Sequence, residues 1–108
     1  MSKETYHFRF DVNIPSEEIK GSLLFAVLAA ESLHGRSAVQ LDASFHLDPE
    51  KHFCTVDATT EIGHDIARIF TGFLAQEFGE ATFKVTRVTE MHVPAQEQKD
   101  TEIDQGRI

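Results

Sequence analysis

The sequence predicts one small α+β domain whose strands and helices follow the order βαββαβ. The chain has 108 residues, which is enough to bury one core without help from disulfides. Two segments carry apolar residues at helical spacing, and the segments around them alternate with a period of two. The two middle strands are joined by a short turn, as in the split βαβ arrangement.

The first strand is indicated by strict alternation up to Val12. Its expected inward side chains are Tyr6, Phe8, Phe10 and Val12. Pro15 and Ser16 then predict a helix start, with Ser16 as the cap and two acids where the helix dipole favours negative charge. Gly35 suits the left-handed position that follows many helices, so the first helix is expected to end beside it.

Apolar and polar residues alternate again from Val39 to Leu47, before the turn-forming segment 48–51, and this pattern predicts the second strand. Its expected inward side chains are Val39, Leu41, Ala43, Phe45 and Leu47. The segment from His52 to Thr59 is rich in β-branched and aromatic residues and is expected to complete a hairpin. Its buried face stays open, because either of two sets fits: Cys54, Val56 and Ala58, or Phe53, Thr55 and Asp57.

Thr59 or Thr60 is predicted to cap a second helix that ends at Gly79. The strand 81–89 then closes the domain. With right-handed crossovers, this order predicts a ferredoxin-like sandwich: a four-stranded antiparallel sheet with two helices on one face. Residues 1–90 are expected to form the domain, and residues 91–108 an acidic, mobile tail without apolar periodicity.

Composition favours a cytoplasmic protein. The longest apolar run, from Leu23 to Ala30, is too short to cross a membrane, and no signal peptide is expected. A single cysteine, Cys54, has no partner for an internal disulfide. The formal charge of −8 disfavours nucleic acid as a partner, because the lysine and arginine residues are scattered along the chain.

Metal and cofactor sites are not predicted. His52 and Cys54 could share a strand face, and His7 and His46 could join them, but this combination requires one particular orientation of Cys54. Segment 51–58 resembles the RNA recognition motif only at Lys51, Phe53 and Val56, so no family match follows. We therefore expect no cofactor.

Catalysis is a weaker hypothesis than binding. Polar residues should gather on the open sheet face, where His7 and Asp57 are the first acid–base pair to inspect. However, such a face is polar in any half-solvated antiparallel sheet. A small-molecule site or an enzyme on this face is kept as the alternative function.

The first helix differs from the second in its pattern. Its core stripe is predicted as Ile19, Leu23, Ala26, Ala30 and Leu33. The same spacing puts Leu24, Phe25 and Leu28 on the opposite side, where water is expected. Exposed apolar patches tend to be interfaces, so these three residues predict a non-catalytic interaction domain. The expected partner is a second copy, in a homodimer, or another protein; the tail is the competing cover.

Overall fold

The computed structural model describes residues 2–91, so the predicted tail lies outside the described residues except for Met91. In chain order the elements are β1 (Ser2–Phe10), α1 (Ser16–His34), α2 (Arg36–Asp42), β2 (Phe45–Asp48), β3 (Phe53–Asp57), α3 (Glu61–Phe78), a 3₁₀ turn (Glu80–Thr82) and β4 (Phe83–Met91). The domain is α+β, with a four-stranded open sheet and three helices in the part described.

The strands lie in the order β2-β3-β1-β4, and all three neighbouring pairs are antiparallel. Phe8 of β1 lies opposite Cys54 of β3 and Val85 of β4, and Cys54 lies opposite Leu47 of β2. Opposed residues share a sheet face, so one inner face runs across all four strands. In the sheet that the described residues form, β2 and β4 are the two edges.

The core forms between this inner face and the helices α1 and α3. Phe8 is fully buried, with its ring centroid 4.9 Å from that of Phe70 on α3. Alanines on α1, Ala26 and Ala30, are fully buried, and small side chains allow helices to approach closely. The other buried core residues include Phe10, Ile19, Leu23, Val56, Ile62, Ile66 and Leu74.

Strand β1 ends two residues earlier than the alternation suggested. Val12, expected to point inward, is 78% exposed. It lies in a turn in which the Asn13 amide donates to the Asp11 carboxylate at 3.0 Å. The short polar side chain of Asp11 supports this turn in place of further strand, which is why the sequence alternation outlasts the strand.

Helix α1 has the predicted extent, but two of its details differ. Pro15, not Ser16, occupies the cap position, and the Ser16 hydroxyl instead donates to the Pro49 carbonyl oxygen at 3.0 Å. Leu33, expected in the core, is 69% exposed. At this end of the helix His34 bonds to Asp65 of α3 at 2.8 Å and takes the position facing that helix.

The prediction of strand over residues 39–42 is wrong, because the chain forms the short helix α2 there. Gly35 has φ 91°, a conformation that glycine tolerates well, and the chain turns there from α1 into α2. Val39 is buried, whereas Leu41 is 84% exposed, so these two side chains do not share a face. The Ala43 amide donates to the Val39 carbonyl oxygen at 2.9 Å, as helical spacing requires.

The hairpin β2–β3 is confirmed, and the structure selects its inner face. Cys54 and Val56 are fully buried and Ala58 is 5% exposed, while Phe53, Thr55 and Asp57 lie on the opposite, open face. The Asp48 carboxylate accepts from the amides of the turn.

Helix α3 is capped by Thr60, one of the two predicted caps. Its hydroxyl oxygen accepts from the Gly63 amide at 3.0 Å. The same hydroxyl donates to the carbonyl oxygen of Asp42, the last residue of α2, at 3.0 Å. Thr60 therefore connects the start of α3 to the end of α2. The helix ends at Phe78, followed by Gly79 with φ 92°.

Candidate functional site

The outward side of α1 carries three large apolar side chains, which we call the α1 apolar face. Leu24, Phe25 and Leu28 are 48%, 64% and 55% exposed. At 3.6 residues per turn they lie opposite the buried stripe that contains Ile19 and Ala26. The helix is therefore apolar on both sides over its central turns.

Helix α3 shows the ordinary one-sided pattern by comparison. Its buried residues are Ile62, Gly63, Ile66, Ala67, Phe70 and Leu74. The largest apolar side chain that it exposes is Phe73, at 39%. The excess of exposed apolar surface is thus a property of α1, as the sequence predicted from helical spacing.

A groove of about 510 Å³ lies between the first half of α1 and the edge strand β2, and we call it the β2-edge groove. Leu24 lines one side, and Phe45 and Leu47 line the other. Lys20 and Glu17 of α1 also line it, so it contains one base and one acid beside its apolar walls. The α1 apolar face therefore continues into this groove through Leu24.

A second groove of about 380 Å³ runs between α1 and α3. Phe25 lines it together with Phe73 and Phe78, and the acids Glu18 and Glu77 line it as well. Two of the three residues of the α1 apolar face thus lie in different surroundings, while Leu28 lines neither groove. Leu24 belongs to the side of β2, and Phe25 to the side of α3.

Phe45 was expected to be an inward residue of the second strand, and it does share a face with Val56. It nevertheless remains 39% exposed, because it lies on the outermost strand of the sheet beside the groove. Sequence reasoning missed its contribution to the apolar surface. No pattern in the sequence indicated it, because the predicted order of the elements does not specify how far a helix covers an edge strand.

The open sheet face carries an aromatic and cationic contact at its centre. The Arg9 guanidinium lies 5.1 Å from the ring centroid of Phe53. The His7 ring meets the same ring edge-on, with a centroid distance of 5.4 Å. A cation over an aromatic face is weakly attractive, so these groups support one another on the surface.

The two weak catalytic candidates do not form a pair. His7 lies opposite Thr55, whereas Asp57 lies opposite Thr5 in the neighbouring row. The Asp57 carboxylate accepts from the Thr59 amide at 2.8 Å and so supports the turn before α3. Among the described residues no hydrogen bond joins His7 to Asp57, and the geometry offers no prepared acid–base pair.

The histidines and Cys54 are separated by the sheet. Cys54 points into the core and is fully buried, while His7 and His46 lie opposite Thr55 on the open face. Burial raises the pKa of the Cys54 thiol to about 12, which keeps it protonated at neutral pH. Within residues 2–91, no group of three or more His, Cys, Asp or Glu side chains is placed to hold a metal ion.

Within residues 2–91, no strand pairs with the outer edge of β2. The Asp57 amide donates to the Ser44 carbonyl oxygen at 2.8 Å, so Ser44 faces β3. Backbone groups alternate in direction along an antiparallel strand. Hence His46 also faces β3, while the N–H and C=O groups of Phe45 and Leu47 point away from the sheet.

No helix in the described part of the chain is long and apolar enough to span a membrane. No protein-family model matches the chain, and no curated protein matches it either. The site must therefore be interpreted from its own geometry. That geometry provides apolar surface and an open strand edge, both of which are suited to binding a protein.

Proposed function

We propose that this chain is a small non-catalytic interaction domain that forms a homodimer through α1. The observation that carries the proposal is the α1 apolar face, where Leu24, Phe25 and Leu28 each expose about half or more of their surface. Contiguous exposed apolar groups on one helix are a common mark of a protein interface. Burial of a Leu side chain is worth about 1.5 to 3 kcal/mol, and a twofold contact contains each burial twice.

The net charge supports a protein partner. With a net charge of −8 the chain repels a nucleic-acid backbone unless its lysine and arginine residues are clustered in one patch. An acidic surface also keeps a small dimer in solution. The chain has a single cysteine and can form no internal disulfide, which supports the cytoplasmic location expected from the sequence.

We further infer that the domain is a ferredoxin-like sandwich. The strand order β2-β3-β1-β4 supports this, because the first and third strands lie at the centre of the sheet. Each helical connection also passes one intervening strand: the connection from β1 to β2 passes β3, and the connection from β3 to β4 passes β1. On this interpretation α2 is an addition to the connection between α1 and β2. It lengthens the crossover without changing the sheet.

The test is the oligomeric state of the purified chain and of the substitution Leu28→Glu. We expect light scattering to give a dimer for the unaltered chain and a folded monomer for Leu28→Glu, because the charge would face apolar surface on both sides of the axis. Leu33→Glu is the matched control, since Leu33 lies on the same helix and is 69% exposed, but borders α3. It should leave the dimer intact.

A monomer at high micromolar concentration would disprove self-association. A dimer that resists Leu28→Glu would place the interface away from the α1 apolar face. Circular dichroism of each variant shows whether it is folded, so loss of the dimer can be separated from loss of structure.

The second candidate function is a small-molecule site or an enzyme on the open sheet face. The contact of Arg9 and His7 with the Phe53 ring favours it, since a cation, an imidazole and an aromatic ring meet there. Native mass spectrometry of the purified chain would detect a bound small molecule together with the subunit count. A stoichiometric bound mass that Phe53→Ala removes would support this second function.

A further inference from the structure

The two edges of the sheet differ in how they are protected against pairing with another strand. Natural edge strands commonly avoid such pairing by means of charged side chains, lysine above all, or proline. Strand β4 carries the exposed side chains of Lys84 and Arg87. Strand β2, with the sequence Phe-His-Leu-Asp, has neither a basic charge nor a proline within it. Strand β2 carries the acid Asp48 and has four residues against nine in β4, so its shortness protects it in part. In basic side chains and proline, however, β2 is the less protected edge.

The outward groups of β2 are complementary to a second copy of themselves. If two β2 strands meet antiparallel about a twofold axis through His46, Phe45 of each copy lies opposite Leu47 of the other. Phe45 and Leu47 are the residues whose N–H and C=O groups point outward, so this register allows each pair to exchange two hydrogen bonds. A shift of two residues in one direction would oppose Phe45 to Pro49, which has no N–H. The opposite shift would oppose Leu47 to Ala43, which precedes the strand.

We propose that the homodimer forms by antiparallel pairing of two β2 strands, which joins the two four-stranded sheets into one continuous sheet with His46 on the twofold axis. This inference rests on the proposed self-association and specifies its geometry. Phe45 and Leu47 of the two copies then form cross-strand apolar pairs on the inner face, and such pairs stabilise sheets.

The β2-edge groove supports a second copy as the occupant. It lies directly beside the pairing edge and is lined by Leu24, so pairing brings the α1 helices of the two copies to the axis. Its two charged side chains, Glu17 and Lys20, are opposite in sign. In a twofold contact each copy offers both an acid and a base, so opposite charges are available on both sides of the axis and neither sign accumulates there.

The proposed pairing places residue 46 of one copy next to residue 46 of the other, so a cysteine introduced there tests it. Residues on the axis of such a contact form a pair without mutual hydrogen bonds, with Cα atoms about 4.5 Å apart. This separation lies within the range that a disulfide spans. The substitution His46→Cys should therefore link a chain to its own copy under mild oxidation and double the mass on a non-reducing gel. The native Cys54 is fully buried and stays out of the reaction.

Thr86→Cys is the matched control, because Thr86 is exposed on the same open face but lies on the opposite edge strand. It should remain a single chain under the same oxidation. A dimeric protein in which His46→Cys crosslinks no more than Thr86→Cys would overturn β2 pairing and leave self-association through α1 standing. A monomeric unaltered chain would overturn both. Crosslinking of His46→Cys alone, together with a dimer by light scattering, supports the proposed geometry.

Discussion

Gly63 in the first turn of α3 lies against the backbone of Asp57 so closely that a Cβ atom at this position would collide with the Asp57 carbonyl oxygen. Glycine is ordinarily unfavourable within a helix, because it loses more conformational freedom than alanine. Here the absence of a side chain allows α3 to begin directly over the end of β3. The contact thus determines how the helix meets the sheet.

Substitution of Gly63 by alanine should lower the free energy of unfolding by about 1 to 3 kcal/mol, the usual cost of overpacking. Gly72→Ala is the matched control on the same helix, because a Cβ atom there meets no atom within 4 Å. Gly72→Ala should raise stability by up to about 1 kcal/mol through helix propensity. Urea unfolding of both variants measures the contrast. Equal effects of the two substitutions would show that the contact with Asp57 is relieved cheaply.

The regular elements were predictable where a single period dominates. Alternation in β1 and helical spacing in α3 each match one structure only, and the turn at 48–51 joins two strands as expected. Segment 39–43 satisfies both periods, since Val39 and Ala43 are two strand steps or one helical turn apart. The decision depends on tertiary packing of Val39 against the core, which the local sequence does not contain.

The Thr60 hydroxyl makes two hydrogen bonds, one within α3 and one to α2, so its loss should affect both helices. We expect Thr60→Ala to lower the free energy of unfolding by about 1 to 2 kcal/mol, at the upper end of the cost of a lost cap. Thr60→Ser retains the hydroxyl and should recover most of this loss. If Thr60→Ser is as unstable as Thr60→Ala in thermal or chemical unfolding, the methyl group rather than the hydroxyl is responsible.

The α1 apolar face could be predicted from the sequence because helical geometry relates nearby positions. Leu24, Phe25 and Leu28 lie within about one turn of one another, so their common direction follows from 3.6 residues per turn. The β2-edge groove could not be predicted in this way. It joins α1 to Phe45 and Leu47, and their proximity depends on which strand occupies the edge of the sheet.

Truncation after Met91 tests whether the C-terminal tail, instead of a second copy of the chain, covers the α1 apolar face. Among the described residues the buried core ends at Leu74, and the last partly buried apolar residue packed against it is Val85, so we expect little change in the free energy of unfolding. The dimer should also persist, because the proposed contact uses only α1 and β2. Light scattering and urea unfolding of the shortened chain measure both properties. If truncation alone produces association or a large loss of stability, residues 92–108 cover α1 in the full chain.

Cys54 should react slowly with thiol reagents in the folded protein. Its side chain is fully buried, and the thiolate that reacts is scarce because burial raises its pKa to about 12. At neutral pH we expect labelling to follow the rate at which the chain opens, and to become fast in denaturant. Mass spectrometry over time compares the folded and unfolded chains. Labelling of the folded protein at the rate of the unfolded control would contradict the buried, structural role.

The raised pKa of Cys54 also predicts a loss of stability at alkaline pH. The ordinary thiol pKa is 9.0, whereas the folded value is about 12, so between these values the unfolded chain releases a proton that the folded chain retains. Stability then falls as pH rises, by about 1.4 kcal/mol for each pH unit well inside this window, and the effect is absent below it.

Other groups titrate in the same range, so the measurement is the difference between the unaltered chain and Cys54→Ala. Urea unfolding at several pH values should give a steeper alkaline decline for the unaltered chain and parallel behaviour below about pH 8. Equal slopes above pH 9 would show that the buried thiol ionises as freely in the fold as in the unfolded chain.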